Sequence, residues 1–512
     1  MSLSDRRHAD APAALGAATP GTTDAHKTRK GLTRRETLLS GAAIAIAATV
    51  PASLATLSAP GQALANGMTP PNIVYIIADD LGWADVGFHG SDIQTPNLDK
   101  LAETGARFEE FYTQPMCTPT RAAFLTGRYP LRYGLQTGVI PSPGSYGLAL
   151  DEVLLPEVMK DAGYKTALVG KWHLGHAKVD YWPKQRGFDS FYGALVGEID
   201  HFKHSSHGVK DWYRDNAPLE ETGFDNSLFG DEAARVVERH DPASPLFLYL
   251  AFTAPHTPFQ APEDYLDRYK HIADENRRAY AAMISVLDDG IGKVVAALEK
   301  RGMRDNTLIV FHSDNGGVRS SLFAGDSKVG GGLPADNGPY RDGKGTLYEG
   351  GTRVAALANW PGRIKPGKVA GMVHVVDMFP TLVAIAGAAL GKNKPLDGMN
   401  LWPALSEGQP SPRKELVYNV DPLAGAVRKD NWKLVWKASL PPKLELFDLS
   451  ADPSEAIDLA AKDTDKVREL QDWITRLAGE MAPPLLILDA VRLTFQAPPV
   501  TADPSALFNL GD

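Results

Sequence analysis

From Asn66 onward the chain alternates short apolar runs with stretches of helical periodicity, the pattern of an α/β domain. The run Ile73-Val74-Tyr75-Ile76-Ile77-Ala78 is continuous, and residues 166–169, 246–250 and 308–311 resemble it. Such runs predict strands buried on both faces. Between the last two, Met283, Val286, Leu287, Ile291, Val294, Val295 and Leu298 recur at helical spacing, predicting a long helix over 275–301 with an apolar face. After about Pro412 the pattern changes. Residues 415–420, 432–436 and 444–449 read as short strands joined by polar turns, and 466–480 as an amphipathic helix. The expected fold is a large central mixed, mostly parallel sheet flanked by helices over 66–412. A smaller α+β domain with an antiparallel sheet is expected over 413–512, its proline-containing end after Met481 carrying no usable pattern.

The residues just past each strand narrow the picture. The first run ends in Asp79-Asp80, the second in Lys171-Trp172-His173, the third in Ala254-Pro255-His256, the fourth in Ser313-Asp314-Asn315-Gly316-Gly317. Ligand sites of open α/β sheets lie outside the carboxyl ends of the strands, so four polar endings can converge on one site. Singly, each has a bland reading: Asp79-Asp80 as a helix cap, the Asn315-Gly316 step as a turn, a lone Lys or His as surface or scaffold.

The first 65 residues read as an address. Residues 1–32 are polar, Ala- and Thr-rich and expected to be disordered. Arg34-Arg35 then precedes an Ala-rich apolar stretch from Gly41 to about Leu57, and Ala63-Leu64-Ala65 offers a small-x-small cleavage site. The pattern resembles a twin-arginine signal, which implies export of a folded chain to the periplasm or beyond after cleavage behind Ala65. A membrane anchor is the competing reading, weakened because Pro51 and the Ala, Thr and Ser content leave the stretch short of about 20 strongly apolar residues. Residues 1–65 carry seven Lys/Arg against four Asp/Glu, so their removal takes the net charge from -9 to -12. That balance argues against a non-specific nucleic-acid binder.

One cysteine is present, Cys117, so an internal disulfide and a cysteine-rich zinc site are both excluded. Alone it would read as a small buried hydrophobe. Its segment is Cys117-Thr118-Pro119-Thr120-Arg121-Ala122-Ala123-Phe124-Leu125-Thr126-Gly127-Arg128. Pro119 suits a first helical turn, which puts Cys117 at a helix N-terminus where negative charge is favoured, with Arg121 on the same face.

Cys-x-Pro-x-Arg followed by Leu-Thr-Gly-Arg resembles the signature of the type I sulfatases of the alkaline phosphatase superfamily. The segments Thr95-Pro96-Asn97-Leu98-Asp99, Gly170-Lys171-Trp172-His173-Leu174-Gly175 and Gly343-Lys344-Gly345-Thr346 are similar to the arylsulfatase B, N-acetylgalactosamine-4-sulfatase, branch. The resemblance implies an alkaline-phosphatase-like sheet and hydrolysis of sulfate monoesters, with N-acetylgalactosamine 4-sulfate and other sulfated saccharides as candidate substrates. It implies conversion of Cys117 to formylglycine (3-oxoalanine) by a formylglycine-generating enzyme. It also implies a metal, Ca2+ or else Mg2+, on Asp79, Asp80, Asp314, Asn315 and residue 117. Those oxygen donors suit a hard cation. Arg121 would support the nucleophile, Lys171 and Lys344 would hold sulfate oxygens, His256 would protonate the leaving alcohol, and His173 would act as base. Arg128 is expected to support the helix or the hydrate indirectly, and residues 348–353 to be structural.

Two rival functions stay open at this point: a phosphodiester or phosphonate monoester hydrolase of the same superfamily, and a non-catalytic binder of sulfated glycans. His201, His204 and His207 are expected in a loop near the pocket mouth rather than around a second metal, and Asp377 to cap a helix. His89, His176, His240 and His312 are expected to be structural.

Overall fold

At the centre of the computed structural model, strand Asn72–Ala78 runs parallel to Thr307–Ser313 on one side and to Leu246–Ala251 on the other. Residues 69–324 and 332–495 are described; the twin-arginine motif, the apolar stretch and the Ala65 site lie outside them. Strands Lys165–Gly170 and Ser190–Gly193 continue the parallel array beyond Leu246–Ala251. Past Thr307–Ser313 comes antiparallel Ala356–Asn359, then Ala106–Tyr112, which pairs in parallel with Gly367–His374.

Alternate side chains of the first strand enter different cores. Ile73, Tyr75 and Ile77 pack with the Cys117–Thr126 helix on one face. Val74, Ile76 and Ala78 pack on the other with Glu275–Lys300 and Asp225–Arg239. Burial on both faces is what makes the run continuously apolar. The register aligns the strand ends: Ala78 lies beside Ser313, Ile77 beside Ala251, and Gly170 beside Ala251. Asp79, Lys171 and Asp314 therefore leave the sheet along one edge.

The small sheet is an antiparallel meander of Glu415–Val420, Ala424–Lys429, Trp432–Lys437 and Lys443–Asp448. Leu470, Ile474 and Leu477 of helix Thr464–Gly479 are buried in the same core. Residues 424–429, read as a turn from the sequence, form a strand. Gly425 lies under Ile474, and the small residues that let the helix sit there erase the alternation. A second helix, Leu485–Phe495, occupies what the sequence left without pattern; of its described residues only Leu485 and Asp489 are buried. Asp377 stands before helix Met378–Ala386 but does not cap it; its carboxylate is taken by Arg413. Among the described residues no helix is long and apolar enough to cross a membrane.

The two sheets meet through buried charge. Glu349 receives Lys433 at 3.0 Å and the hydroxyls of Tyr112 and Tyr418 at 2.7 Å each, and Lys433 also reaches Glu455 at 2.8 Å. Residues 348–353 thus have the structural role read for them, joining the loop that carries Lys344 to the small sheet.

Candidate active site

Cys117 opens its helix, with Met116 extended before it and Gly127 left-handed (φ 67°) after Thr126. Pro119 falls in the first turn, where no intrahelical amide is lost. The thiol is 1% exposed, with Sγ 3.1 Å from Asp79 Oδ1 and 4.0 Å from Asp80 Oδ1. Burial, then the carboxylates of Asp314 and Asp79, push its pKa well above the ordinary value, against the pull of Lys171 and Lys344.

Three carboxylates and three cations interleave around it. Arg121 donates from Nη2 and Nε to Asp314 Oδ2 at 2.8 and 3.1 Å, and from Nη1 to the Lys171 carbonyl at 3.1 Å. Lys171 pairs with Asp79, and Lys344 with Asp80 at 2.8 Å. Burial alone would raise Asp79, but Lys171, His256 and Arg121 together hold it down at about 2. Every one of these groups is buried, so each charge depends on its partner.

The two expected acid–base residues differ in their hydrogen bonding. His173 has left-handed backbone (φ 59°), and its Nε2 meets the Ile140 carbonyl at 3.1 Å. The proton therefore sits on Nε2. Nδ1 is buried without a hydrogen bond, an open lone pair. Burial, Lys171 and Arg121 drive its pKa well below the ordinary histidine range, which keeps it neutral as a base requires. In His256, Nδ1 donates to the Thr257 carbonyl at 2.7 Å, leaving Nε2 toward Asp80 at 3.6 Å.

The donor set fits a hard cation. Ligand atoms of Asp79, Asp80, Cys117 and His256 lie within 4.8 Å of one another. Asn315 gives its amide hydrogens to Asp80 at 2.7 Å and to the Gly316 carbonyl, while its Oδ1 is buried without a partner, an oxygen left for a cation. Asp314 lies beside this cluster, its Oδ1 accepting from the Asp80 amide at 3.3 Å.

Comparison with known proteins agrees with this geometry. The profile of the family described as Sulfatase matches residues 71–388, and one described as N-sulphoglucosamine sulphohydrolase, C-terminal, matches 340–480. The chain belongs to the sulfatase family. Arylsulfatase J of Mus musculus is 37% identical over 463 residues, covering 79% of this chain and 75% of its own. N-acetylgalactosamine-6-sulfatase of Homo sapiens is 35% identical over 388 residues, covering 72% of each. The crystal structure of Ps i-CgsB in complex with k-i-k-neocarrahexaose superimposes with a TM-score of 0.73 at 33% identity, over 82% of this chain and 98% of that one. The sulfatase is accordingly a sulfuric ester hydrolase on an alkaline-phosphatase-like fold, and the sequence-predicted residues Asp79, Asp80, Cys117, Arg121, Lys171, His173, His256, Asp314, Asn315 and Lys344 surround one point.

Other residues of the sulfatase could not be placed from sequence. The three clustered histidines part company. His204 is buried, stacked on Trp212 at 4.1 Å between ring centres, and His207 lines the mouth of the cleft. His201 is buried beneath His256: its Nε2 meets the His256 carbonyl at 3.0 Å and its Nδ1 meets Asp225 at 2.9 Å. Both partners are acceptors, so His201 donates from both nitrogens as an imidazolium. Burial opposes that charge, but Asp225 raises its pKa above the ordinary value. Asp225 also accepts from Thr253 at 2.6 Å, and Asn226 accepts from the Thr253 and Ala254 amides. The loop bearing His256 is thus clamped from below. Arg128 pairs with Glu152 at 3.1 Å and donates to the Pro395 carbonyl, a scaffold role. The cleft measures about 520 Å³, with Cys117, His173, His256 and Lys344 at its base and Val139, Ile140, Pro143 and Phe323 among its walls.

Proposed function

We propose that this sulfatase hydrolyses sulfate monoesters of saccharides with a formylglycine made from Cys117 and Ca2+ held by Asp79, Asp80, Asp314 and Asn315. The observation that carries the reading is the thiol itself: buried, at a helix N-terminus, within hydrogen-bond reach of Asp79 and ringed by Arg121, Lys171 and Lys344. As a thiol it serves no evident chemistry. Oxidised, residue 117 would supply an aldehyde hydrate: one hydroxyl oxygen would attack sulfur as the ester's alcohol departs, and loss of the proton from the other would re-form the aldehyde C=O and expel sulfate with the first oxygen. Bound Ca2+, or Mg2+ in its place, would supply Lewis-acid polarisation at that centre.

The chain's own residues then divide the work. Arg121, fixed by Asp314 and the Lys171 carbonyl, keeps a permanent positive charge beside residue 117. Lys171 and Lys344 are paired here with Asp79 and Asp80; a cation held by those carboxylates would compensate their charge, and the two ammonium groups would then be placed to hold sulfate oxygens. His173 accepts a proton at Nδ1, and His256 delivers one from Nε2 to the departing alcohol.

The substrate reading draws on the relatives' names. The sequence motifs favour N-acetylgalactosamine 4-sulfate; the relatives named N-acetylgalactosamine-6-sulfatase and the neighbour holding a neocarrahexaose widen this to sulfated saccharides generally. Arg34-Arg35 and the apolar stretch behind it support twin-arginine export to the periplasm, with cleavage after Ala65. Peptide mass spectrometry of protein from its native host is expected to find formylglycine at position 117, and Cys117→Ala to abolish turnover of 4-nitrophenyl sulfate. An intact thiol in active enzyme overturns the mechanism. A faster rate on an aryl phosphodiester would move the assignment to that substrate class.

A further inference from the structure

Beside the catalytic cleft lies a second cavity of about 300 Å³. The two share Glu198 and His207 in their walls. A hydrogen bond of 3.1 Å between the Ser206 and Ser142 hydroxyls ties the outer cavity's rim to the cleft wall. The outer rim is a miniature hairpin, Ser205–Ser206 paired antiparallel with Val209–Lys210. Its two-residue turn is His207-Gly208, both left-handed at φ 48° and 80°. Turns of this kind ordinarily take Asn or Asp before the Gly. A histidine here gives up that local advantage and places its ring on both cavities, and departures of this sort gather where a ligand is met.

The chemistry of the outer cavity is that of a neutral polyol site. Asp200, Lys203 and Ser205 offer a carboxylate, an ammonium and a hydroxyl to ring hydroxyls, while Ile199 and Pro258 give apolar contact for the C–H face of a pyranose. Asp200 and Lys203 lie 3.5 Å apart and Glu198 adds a second carboxylate to the wall, so the cavity does not select for an anion. The strong cations gather at the base of the first cavity, where the sulfate belongs.

We propose that this second cavity is a subsite for the sugar ring adjoining the sulfated one, which makes the substrate an oligosaccharide sulfate rather than a monosaccharide sulfate. The proposal rests on the saccharide reading above. It is tested with formylglycine-bearing enzyme on 4-nitrophenyl sulfate, on N-acetylgalactosamine 4- and 6-sulfate, on tetrasaccharides containing them, and on neocarrahexaose. A sulfated oligosaccharide should exceed its monosaccharide in kcat/KM by about tenfold or more. Ser205→Trp, which fills the outer cavity, should bring that ratio close to one, and Lys203→Ala should lower it severalfold. Equal kcat/KM for the two lengths in the unaltered enzyme, with 4-nitrophenyl sulfate still hydrolysed, overturns the subsite and leaves the sulfatase mechanism standing. So does a length preference that survives both substitutions. Hydrolysis of the aryl ester alone overturns the subsite together with the saccharide reading, and inactivity on every ester overturns the mechanism as well.

Discussion

His201 shows how a residue can matter to the chemistry without touching the substrate. Its two N–H groups span Asp225 and the backbone of His256, so it fixes where the proton donor stands. His201→Gln should therefore depress kcat for alkyl and sugar sulfates roughly tenfold or more beyond its effect on 4-nitrophenyl sulfate, whose leaving group needs little protonation. Equal losses on both would mean a purely structural role. Asn315 allows a similar separation for the metal. Asn315→Ala removes the unpartnered oxygen yet leaves the Arg121–Asp314 pair intact. After chelation the variant should need about tenfold or more Ca2+ for half-maximal reactivation, and an unchanged requirement would remove Asn315 from the ligand set. At this scale the sequence was legible wherever a residue sits at a strand end or in the Cys117 segment. His201 was not, because it sits in a turn, its partner Asp225 lies 24 residues away at the start of a helix, and no local spacing announces the contact.

Among elements, the parallel strands could be read because burial on both faces leaves an uninterrupted apolar run. Strand Ala424–Lys429 could not, since Gly425 and its small neighbours answer to the helix above them and not to a pleat pattern. Helix Leu485–Phe495 escaped for a different reason: with Leu485 and Asp489 alone buried, it has no continuous apolar stripe, and it is held by contacts such as Ser145 to Asp489 at 2.7 Å. The strand ends carry their own constraint. Gly170 has φ 116°, and a β-carbon there would lie 1.8 Å from the Ala251 carbonyl oxygen. Gly170→Ala forces the Lys165–Gly170 strand away from its neighbour just where Lys171 departs. The substitution should cost more than about 1 kcal/mol in urea unfolding and reduce kcat as well. A stable variant with full activity would show that the edge tolerates displacement.

For the whole molecule, the junction of the two sheets places Lys433 between two buried acids, Glu349 and Glu455. Lys433 can neutralise one charge: Glu349 is held at about 2, burial against it outweighed by Lys433, Arg353 and Arg428. Glu455, raised by burial and by Glu349 against the pull of Lys433, titrates at about 7. Its folded pKa lies above the unfolded value of about 4.3, so between these the folded chain binds more protons than the unfolded one. Stability from this group is thus full below the lower value and declines as pH rises toward 7. Thermal unfolding should occur at lower temperature at pH 8 than at pH 5.5, and Glu455→Gln should flatten that difference; an unaltered pH slope in the variant would exclude the junction as its source.

The depth of residue 117 also dictates an order of events. If residue 117 is oxidised as proposed, the oxidising enzyme would face a side chain 1% exposed at the base of the cleft in the folded protein, so the oxidation would have to reach the segment while the polypeptide is still open. On that reading, a molecule that closed first would keep its thiol. If the chain then crosses the membrane already folded, the decision between a working and a silent copy has been taken on the ribosome's side, before departure.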